Sequence, residues 1–162
     1  MFKRNFGVLR RMIYWVLGCT ILYCLLMTCV SCASRRQPQI GLVDGRLRDC
    51  PTNKSNCVCS ESAPDCEFYI EPLKFSDSQA NAWDRAKMAL IEIGGKIQVE
   101  EDYYLHSIFV TKVFRFVDDL ELRMDVENNN IQIRSASRVG YSDLGVNRKR
   151  VERLREQFAK LK

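Results

Sequence analysis

The sequence has 162 residues, a length that suits one domain of ordinary size. Its formal charge is +5, but four of the 25 Lys and Arg residues lie within residues 1–11, so residues 12–162 carry 21 basic against 20 acidic side chains. This nearly neutral part does not interleave its basic positions with aromatic ones, and an export signal precedes it. We therefore expect no nucleic-acid partner.

Residues 1–36 have the pattern of a signal peptide or membrane anchor. A basic head precedes 23 uncharged, mostly apolar residues, Met12 to Ser34, and two arginines follow them. Such a run is long enough to span a bilayer as a helix, whereas the apolar core of a cleaved signal has about 7 to 15 residues. The stronger positive cluster lies on the N-terminal side, so the rest of the chain is expected outside the cytosol.

A second interpretation of the same segment comes from its end. Small residues flank Cys32, as they do in bacterial lipoprotein signals, and Cys32 would then carry the lipid. Cys29 stands where those signals prefer Leu. The sequence leaves open a lipid anchor on Cys32 and an uncleaved transmembrane helix, and in both cases residues 37–48, with scattered Pro, Gly and charge, form a tether.

Four cysteines of the exported part predict a stapled loop at the start of the domain, residues 49–162. Cys50, Cys57, Cys59 and Cys66 are separated by six, one and six residues. In an oxidising compartment this favours two disulfides, either Cys50 to Cys57 with Cys59 to Cys66 or a crossed alternative. The short spacings of zinc sites and redox pairs are absent, so we expect no metal and no cofactor.

Hydrophobic periodicity predicts the elements of this domain. Residues 120–126 alternate strictly between apolar and charged side chains, as in a strand with one buried face, and Asn128-Asn129-Asn130 provides the turn of a hairpin. The order is β-α-β-β-β-β-α, which predicts a single small α+β domain with an antiparallel sheet and two helices on one face. The predicted elements are strands at 68–74, 96–101, 103–112, 120–126 and 131–137, a helix from Ser76-Asp77-Ser78 to Gly94-Gly95, and a helix from about Asn147.

Residues 134–150 concentrate basic, polar and glycine positions where the last strand meets the last helix. A buried polar network that holds this helix to the sheet explains them, and so does an anion site at the helix N-terminus. Residues 134–162 carry nine basic against three acidic side chains, which would suit an anionic lipid or protein, or pair with acids of the domain itself. The candidate ligand-binding or network residues are Arg134, Ser135, Ser137, Arg138, Asp143, Asn147, Arg148 and Arg150.

Other chemistry is sparse. Asp118 and Asp119 are expected in an acidic loop, where they cap the turn after Val117 and pair with Arg134 or Arg138. His106 is the single histidine and falls in a strand. No nucleophile elbow surrounds any serine, so we expect no catalytic residues and no enzyme, with a hydrolase as a weak alternative.

Three stretches resemble a family catalogued as domain of unknown function family 1499, found in bacterial envelopes and plant plastids. They are Cys50-Pro51 with Asn56-Cys57-Val58 and Ser60, then Phe116-Val117-Asp118-Asp119, then the run from Arg134 to Arg150. The resemblance extends from about Leu47 to Leu161. The family has Ser at the place of Cys59, which makes the predicted bond to Cys66 an addition of this chain, and often has His where this chain has Phe68 or Tyr69.

The resemblance implies an exported or membrane-attached domain and supplies no reaction. The first hypothesis is therefore a membrane-anchored, lipoprotein-like module of a bacterial cell envelope that binds an anionic envelope ligand or partner. The alternative is a structural or protein-interaction module of the same envelope.

Overall fold

The computed structural model describes residues 3–36 and 38–161. Residues 1, 2, 37 and 162, at the bounds of the predicted segments, lie outside the described residues. The elements are α1 (Lys3–Ser34), β1 (Leu42–Val43), β2 (Arg46–Leu47), β3 (Cys57–Cys59), β4 (Leu73–Lys74), α2 (Gln79–Glu92), β5 (Lys96–Glu101), β6 (Tyr104–Val110), β7 (Val117–Asp125), β8 (Asn130–Ser137) and α3 (Val146–Lys160).

The centre of the domain is a mostly antiparallel sheet in the order β3-β8-β7-β6-β5, with β4 paired to β8 beside β3. The predicted hairpin is confirmed, since β7 and β8 pair from Asp118 opposite Ser137 to Asp125 opposite Asn130. The turn between them places Asn129 at φ 49°, a conformation that asparagine tolerates better than most residues. The α+β architecture predicted from the sequence is therefore correct.

Both predicted helices pack on one face of the sheet. The alternating residues Leu120, Leu122 and Met124 of β7 point to this face and are buried against apolar residues of α2 and α3. Ser78 accepts a hydrogen bond from the amide of Asn81 at the start of α2, and Gly94, at φ 93°, follows its end. The hydrophobic core thus lies between the sheet and the two helices.

The opposite face of the sheet, called here the outer face, is covered by residues 38–61. The tether prediction misses the small hairpin of β1 and β2, and the stapled loop contains β3, whose Cys57 and Cys59 lie opposite Ala136 and Arg134 of β8. The predicted first strand is short, because only Leu73 and Lys74 pair with β8. These segments pack as a second, smaller cluster of buried side chains with Leu47, Phe68 and Tyr104.

Of the two predicted disulfides, one is formed. Cys50 and Cys57 are bonded, with their Cα atoms 5.6 Å apart. The predicted bond between Cys59 and Cys66 is absent, and both are free thiols. Pairing of β3 with β8 buries Cys59 completely, its Sγ accepts a hydrogen bond from the amide of Glu61, and burial raises the pKa of its thiol.

Helix α1 is the one described helix long and apolar enough to cross a membrane, from Gly7 to Ser34, with a mean hydropathy of 2.1. A signal sequence near the N-terminus passes the same test of length and composition as a membrane anchor, so α1 fits either. Its final turn contacts the domain through Ser31 and Ser34, which are buried, and the Ser34 hydroxyl accepts a hydrogen bond from the amide of Val117 at the start of β7. Cys32 lies between them and is exposed.

Candidate functional site

The predicted site residues do not form one site, because the sheet separates them. Alternation along β8 directs Ser135 and Ser137 toward α3 and directs Arg134 to the outer face, where Arg138 also contacts the domain. Two polar networks result, one on each face, and the predicted anion site that combined the serines, the arginines and the helix N-terminus is not assembled. Arg148 lies apart from both networks and donates to the carbonyl of Glu67.

The helix-side network is centred on Asn147, which is fully buried in the first turn of α3. The side-chain nitrogen Nδ2 of Asn147 donates to the carbonyl of Asn56 at 2.9 Å and to Ser137 Oγ at 3.0 Å. Its side-chain oxygen Oδ1 accepts from Ser135 Oγ at 2.7 Å and from Arg150. Every polar atom of this amide therefore has a partner, which is the condition for burying it without a large cost.

Arg150 extends the same network to the sheet. Its Nη2 donates to Asp118 Oδ2 at 2.6 Å, and its guanidinium lies 4.6 Å from the ring centre of Phe109. Asp143 caps the helix, since its carboxylate accepts hydrogen bonds from the amides of Gly145 and Asn147. The helix-side network thus joins α3 to the sheet and to the loop before β3.

The outer face carries a buried triad. Asp119 Oδ1 lies 2.7 Å from His106 Nε2 and 2.7 Å from Arg138 Nη2, while Arg138 Nε donates to Oδ2 at 2.9 Å. Burial by itself would raise the pKa of Asp119, but the hydrogen bonds and charges of His106 and Arg138 outweigh it and lower the pKa. An ionised Asp119 only accepts, so His106 donates from Nε2, and its Nδ1 has no partner among the described residues.

Next to the triad lies a second buried ion pair. Arg134 Nη1 donates to Glu121 Oε2 at 2.7 Å, and Glu121 Oε1 accepts from Tyr104 Oη and from the amide of Gly41, each at 2.8 Å. Burial and the Glu121 carboxylate raise the pKa of Tyr104. Gly41 sits at φ 95°, and this turn brings the residues after α1 over the buried carboxylate.

Asp119, Arg134 and Arg138 border a polar cavity of about 240 Å³ on the outer face. We call it the outer-face pocket, and its charged lining residues are Lys54, Asp119, Arg134 and Arg138. Arg138 is paired with Asp119 and Arg134 with Glu121, whereas Lys54 forms no ion pair within residues 3–36 and 38–161. The pocket therefore has one positive charge in excess.

Arg134 also has unused hydrogen-bonding capacity. It is 5% exposed, and its buried Nε donates to no atom of the described chain. A buried donor without a partner is costly, but this atom is closed to solvent and is therefore not itself open to a ligand in the outer-face pocket. The unpaired charge of Lys54, beside the guanidinium groups of Arg134 and Arg138, makes the outer-face pocket suitable for a carboxylate or phosphate oxygen.

The outer-face pocket lies directly beside the end of α1. Arg138 Nη1 donates to the carbonyls of Ser34 and Arg36 at 3.4 and 3.3 Å, and Pro38 and Gln39 form part of the wall. If α1 is in a membrane, the pocket is within a few residues of the bilayer surface, where lipid headgroups lie.

Sequence reasoning missed several members of the two networks and misplaced others. Asp118 and Asp119 are not in a loop but in β7, where they are buried on opposite faces of the sheet, and Asp119 pairs with Arg138 as predicted. The alternation of apolar and charged residues over 120–126 predicts that Glu121 is exposed, although it is fully buried. The sequence contains one signal of this buried network. Asp119 and Glu121 are two residues apart and therefore share one face of β7, on the same side of the sheet as Arg134 and His106 of the neighbouring strands.

No group of three or more His, Cys, Asp or Glu side chains is placed to hold a metal ion in the part of the chain that the structure describes. His106 is 3% exposed and does not line the outer-face pocket. The site is thus a set of fixed charges and hydrogen-bond donors beside a small cavity.

Fold and site together define a small α+β domain that follows an apolar helix and carries a buried polar network on each face of its sheet. Residues 46–158 match the model of the family described as Protein of unknown function (DUF1499), and the chain belongs to this family. No curated protein matches the sequence. The resemblance of the three motifs is thereby confirmed, and its family has no assigned function.

Proposed function

We propose that this protein is a membrane-anchored extracytoplasmic domain that binds an anionic group of an envelope ligand or partner in the outer-face pocket. The observation that carries the proposal is Lys54, a cation with no ion pair among the described residues, beside the guanidinium groups of Arg134 and Arg138 in the wall of one small cavity. The ligand chemistry is a carboxylate or a phosphate, and a lipid headgroup suits a pocket that adjoins the end of α1.

The compartment is inferred from two features. The bond between Cys50 and Cys57 needs an oxidising environment, and the basic residues at the start of α1 favour a cytosolic N-terminus. The anchor is α1 itself or a lipid on Cys32. Cleavage before Cys32 would leave Ser34 in place, so the contacts of Val117 and Arg138 with Ser34 are compatible with both anchors.

A structural role remains the alternative for the helix-side network. Asn147 and Ser135 find their hydrogen-bond partners inside the domain, and Asp118, Asn147 and Ser135 hold Arg150, whose Nε alone has no partner among the described residues. The network therefore holds the helix without a ligand. This part of the family motif then serves folding, while the outer face serves binding.

We do not propose an enzyme. The Nε2 atom of His106 is committed to Asp119 and the side chain is buried outside the outer-face pocket. Asp119 lines the pocket but is a weak base, because its pKa is lowered by His106 and Arg138. A His106→Gln variant is therefore expected to keep ligand binding, and loss of a hydrolytic activity in this variant would favour the weak alternative of a hydrolase.

The binding proposal is tested with inorganic phosphate on the full-length protein in mild detergent. Anion binding to the folded state raises the melting temperature as phosphate replaces chloride at constant ionic strength. We expect this rise in the wild type and in Lys149→Gln, an exposed control, and its loss in Lys54→Gln, which breaks no ion pair of the described residues. An equal rise in Lys54→Gln, or none in the wild type, contradicts the proposal.

A further inference from the structure

The loop between β6 and β7, residues 111–116, is unusually apolar for a surface connection. It contains Val113, Phe114 and Phe116, and the side chain of Val113 is 78% exposed. Lys112 and Arg115 flank the apolar positions and are exposed. This alternation of apolar and basic side chains is typical of segments that lie at a membrane surface.

The neck of this loop is closed by its own hydrogen bonds. The amide of Thr111 donates to the carbonyl of Phe116, and the amide of Phe116 donates to Thr111 Oγ1, both at 2.9 Å. The rings of Phe114 and Phe116 stack with their centres 5.7 Å apart. The loop therefore forms a compact tip, and the backbone groups at its base do not depend on water.

A contact with α1 places this tip relative to the membrane segment. The ring of Phe114 meets Tyr23 edge to face, with centres 5.9 Å apart. Tyr23, Met27, Ser31 and Ser34 follow one another at spacings of four, four and three, so they share the face of α1 that borders the domain. The loop thus runs beside the last three turns of a helix whose other faces are exposed and apolar.

The depth of residues 111–116 in the bilayer follows from the geometry of α1. Eleven residues separate Tyr23 from Ser34, which is about 16 Å of helix. If Ser34 lies at the outer limit of the headgroups, this distance spans a headgroup layer of about 6 Å and about 10 Å of acyl chain. Phe114, beside Tyr23, and its neighbour Val113 then lie below the boundary between headgroups and acyl chains, and Lys112 and Arg115 extend back toward lipid phosphates.

We propose that residues 111–116 insert into the bilayer surface as a second membrane contact of the domain. With two attachments, α1 and the loop, the domain cannot rotate freely about the tether, and the outer-face pocket is held at the membrane. This inference rests on α1 as the anchor, because cleavage before Cys32 would remove Tyr23, and it is independent of whether the pocket binds an anion.

The test uses a matched pair of substitutions in the full-length protein. Val113→Trp places a reporter at the loop, and Val126→Trp places one in the turn between β7 and β8, at the other end of β7. Both variants carry Trp15→Phe, because Trp15 lies in α1, and retain Trp83 as a constant background on α2. They are reconstituted in phosphatidylcholine and phosphatidylglycerol vesicles whose acyl chains carry bromine near the headgroup or near the terminal methyl.

We expect loss of emission from Val113→Trp with bromine near the headgroup, a smaller loss with bromine near the terminal methyl, and no loss from Val126→Trp beyond the Trp83 background. Equal quenching of the two variants overturns the inference even when the protein is retained in the vesicles. If the protein does not stay with the vesicles at all, the proposed anchor fails and the loop inference fails with it. Circular dichroism of both variants shows that the substitutions leave the fold intact, as their exposure leads us to expect.

Discussion

Replacing Asn147 with Ala should destabilise the domain more than any surface substitution. Asn147 is fully buried, and its amide makes four hydrogen bonds, to Asn56, Ser135, Ser137 and Arg150. Alanine removes all four and leaves the carbonyl of Asn56 and the hydroxyl of Ser135 without these partners in the interior.

The magnitude follows from those contacts. A lost hydrogen bond costs about 1 kcal/mol and more when the partner remains buried, so we expect a loss of about 3 to 4 kcal/mol in the free energy of unfolding. Asn147→Asp keeps an acceptor for Ser135 and Arg150 but cannot donate to Asn56 and Ser137. Its loss should be about half as large.

Urea unfolding of the full-length protein in mild detergent measures these differences, because Trp83 packs against the core and reports on it. Asn53→Ala, at an exposed position, is the control and should change stability by less than about 0.5 kcal/mol. If Asn147→Ala costs no more than Asn53→Ala, the helix-side network does not hold α3 to the sheet and our account of the motif is wrong.

Three further predictions concern the outer face. Because the pKa of Asp119 is lowered in the folded state, its contribution to stability is complete above the unfolded pKa of about 4 and is lost as pH falls below that value. Acid unfolding should show this loss of stability in the wild type and in the exposed control Asp65→Asn. An acid unfolding profile of Asp119→Asn identical to that of the wild type would contradict this prediction. The pKa of Tyr104 is raised, so the folded state should lose stability as pH rises above the unfolded pKa of about 10. The Tyr104→Phe variant should lose less stability at alkaline pH than the control Tyr103→Phe. Equal alkaline unfolding profiles of the two variants would refute the buried contact between Tyr104 and Glu121. The bond from Cys50 to Cys57 spans a sequence separation of seven and should contribute about 2.5 kcal/mol. Alkylation of the unfolded, unreduced protein should modify Cys59 and Cys66 but neither Cys50 nor Cys57, whereas protection of Cys59 and Cys66 would show that they are also bonded.

The elements that could be predicted are those with a strong local period. Leu120, Leu122 and Met124 alternate over a strand with one apolar face, and Trp83, Ala86 and Leu90 repeat at helical spacing, so the hairpin and α2 followed from local sequence alone. The short strands did not, because two or three residues carry no period, and β3 and β4 exist only through their pairing with β8.

The candidate site was predicted in its residues but not in its arrangement. Alternation placed Arg134 and Ser135 on opposite sides of β8, yet the partners of each come from segments 12 to 95 residues away, which sequence spacing does not reveal. Lys54 and Glu121 carried no motif of their own. Glu121 looked like one more exposed charge in the strand because the segment that covers it, around Gly41, had been assigned to a tether.

We propose that the outer-face pocket holds an anionic group at the membrane. The most direct measurement is a native mass spectrum of the full-length protein, extracted gently from its own membranes, beside Lys54→Gln and the control Lys149→Gln. We expect a bound anionic mass in the wild type and in the control, and its loss in Lys54→Gln, while the denatured mass identifies the anchor as α1 or as a lipid on Cys32. A bare polypeptide in the wild type, or a bound mass unaffected by Lys54→Gln, would contradict the claim.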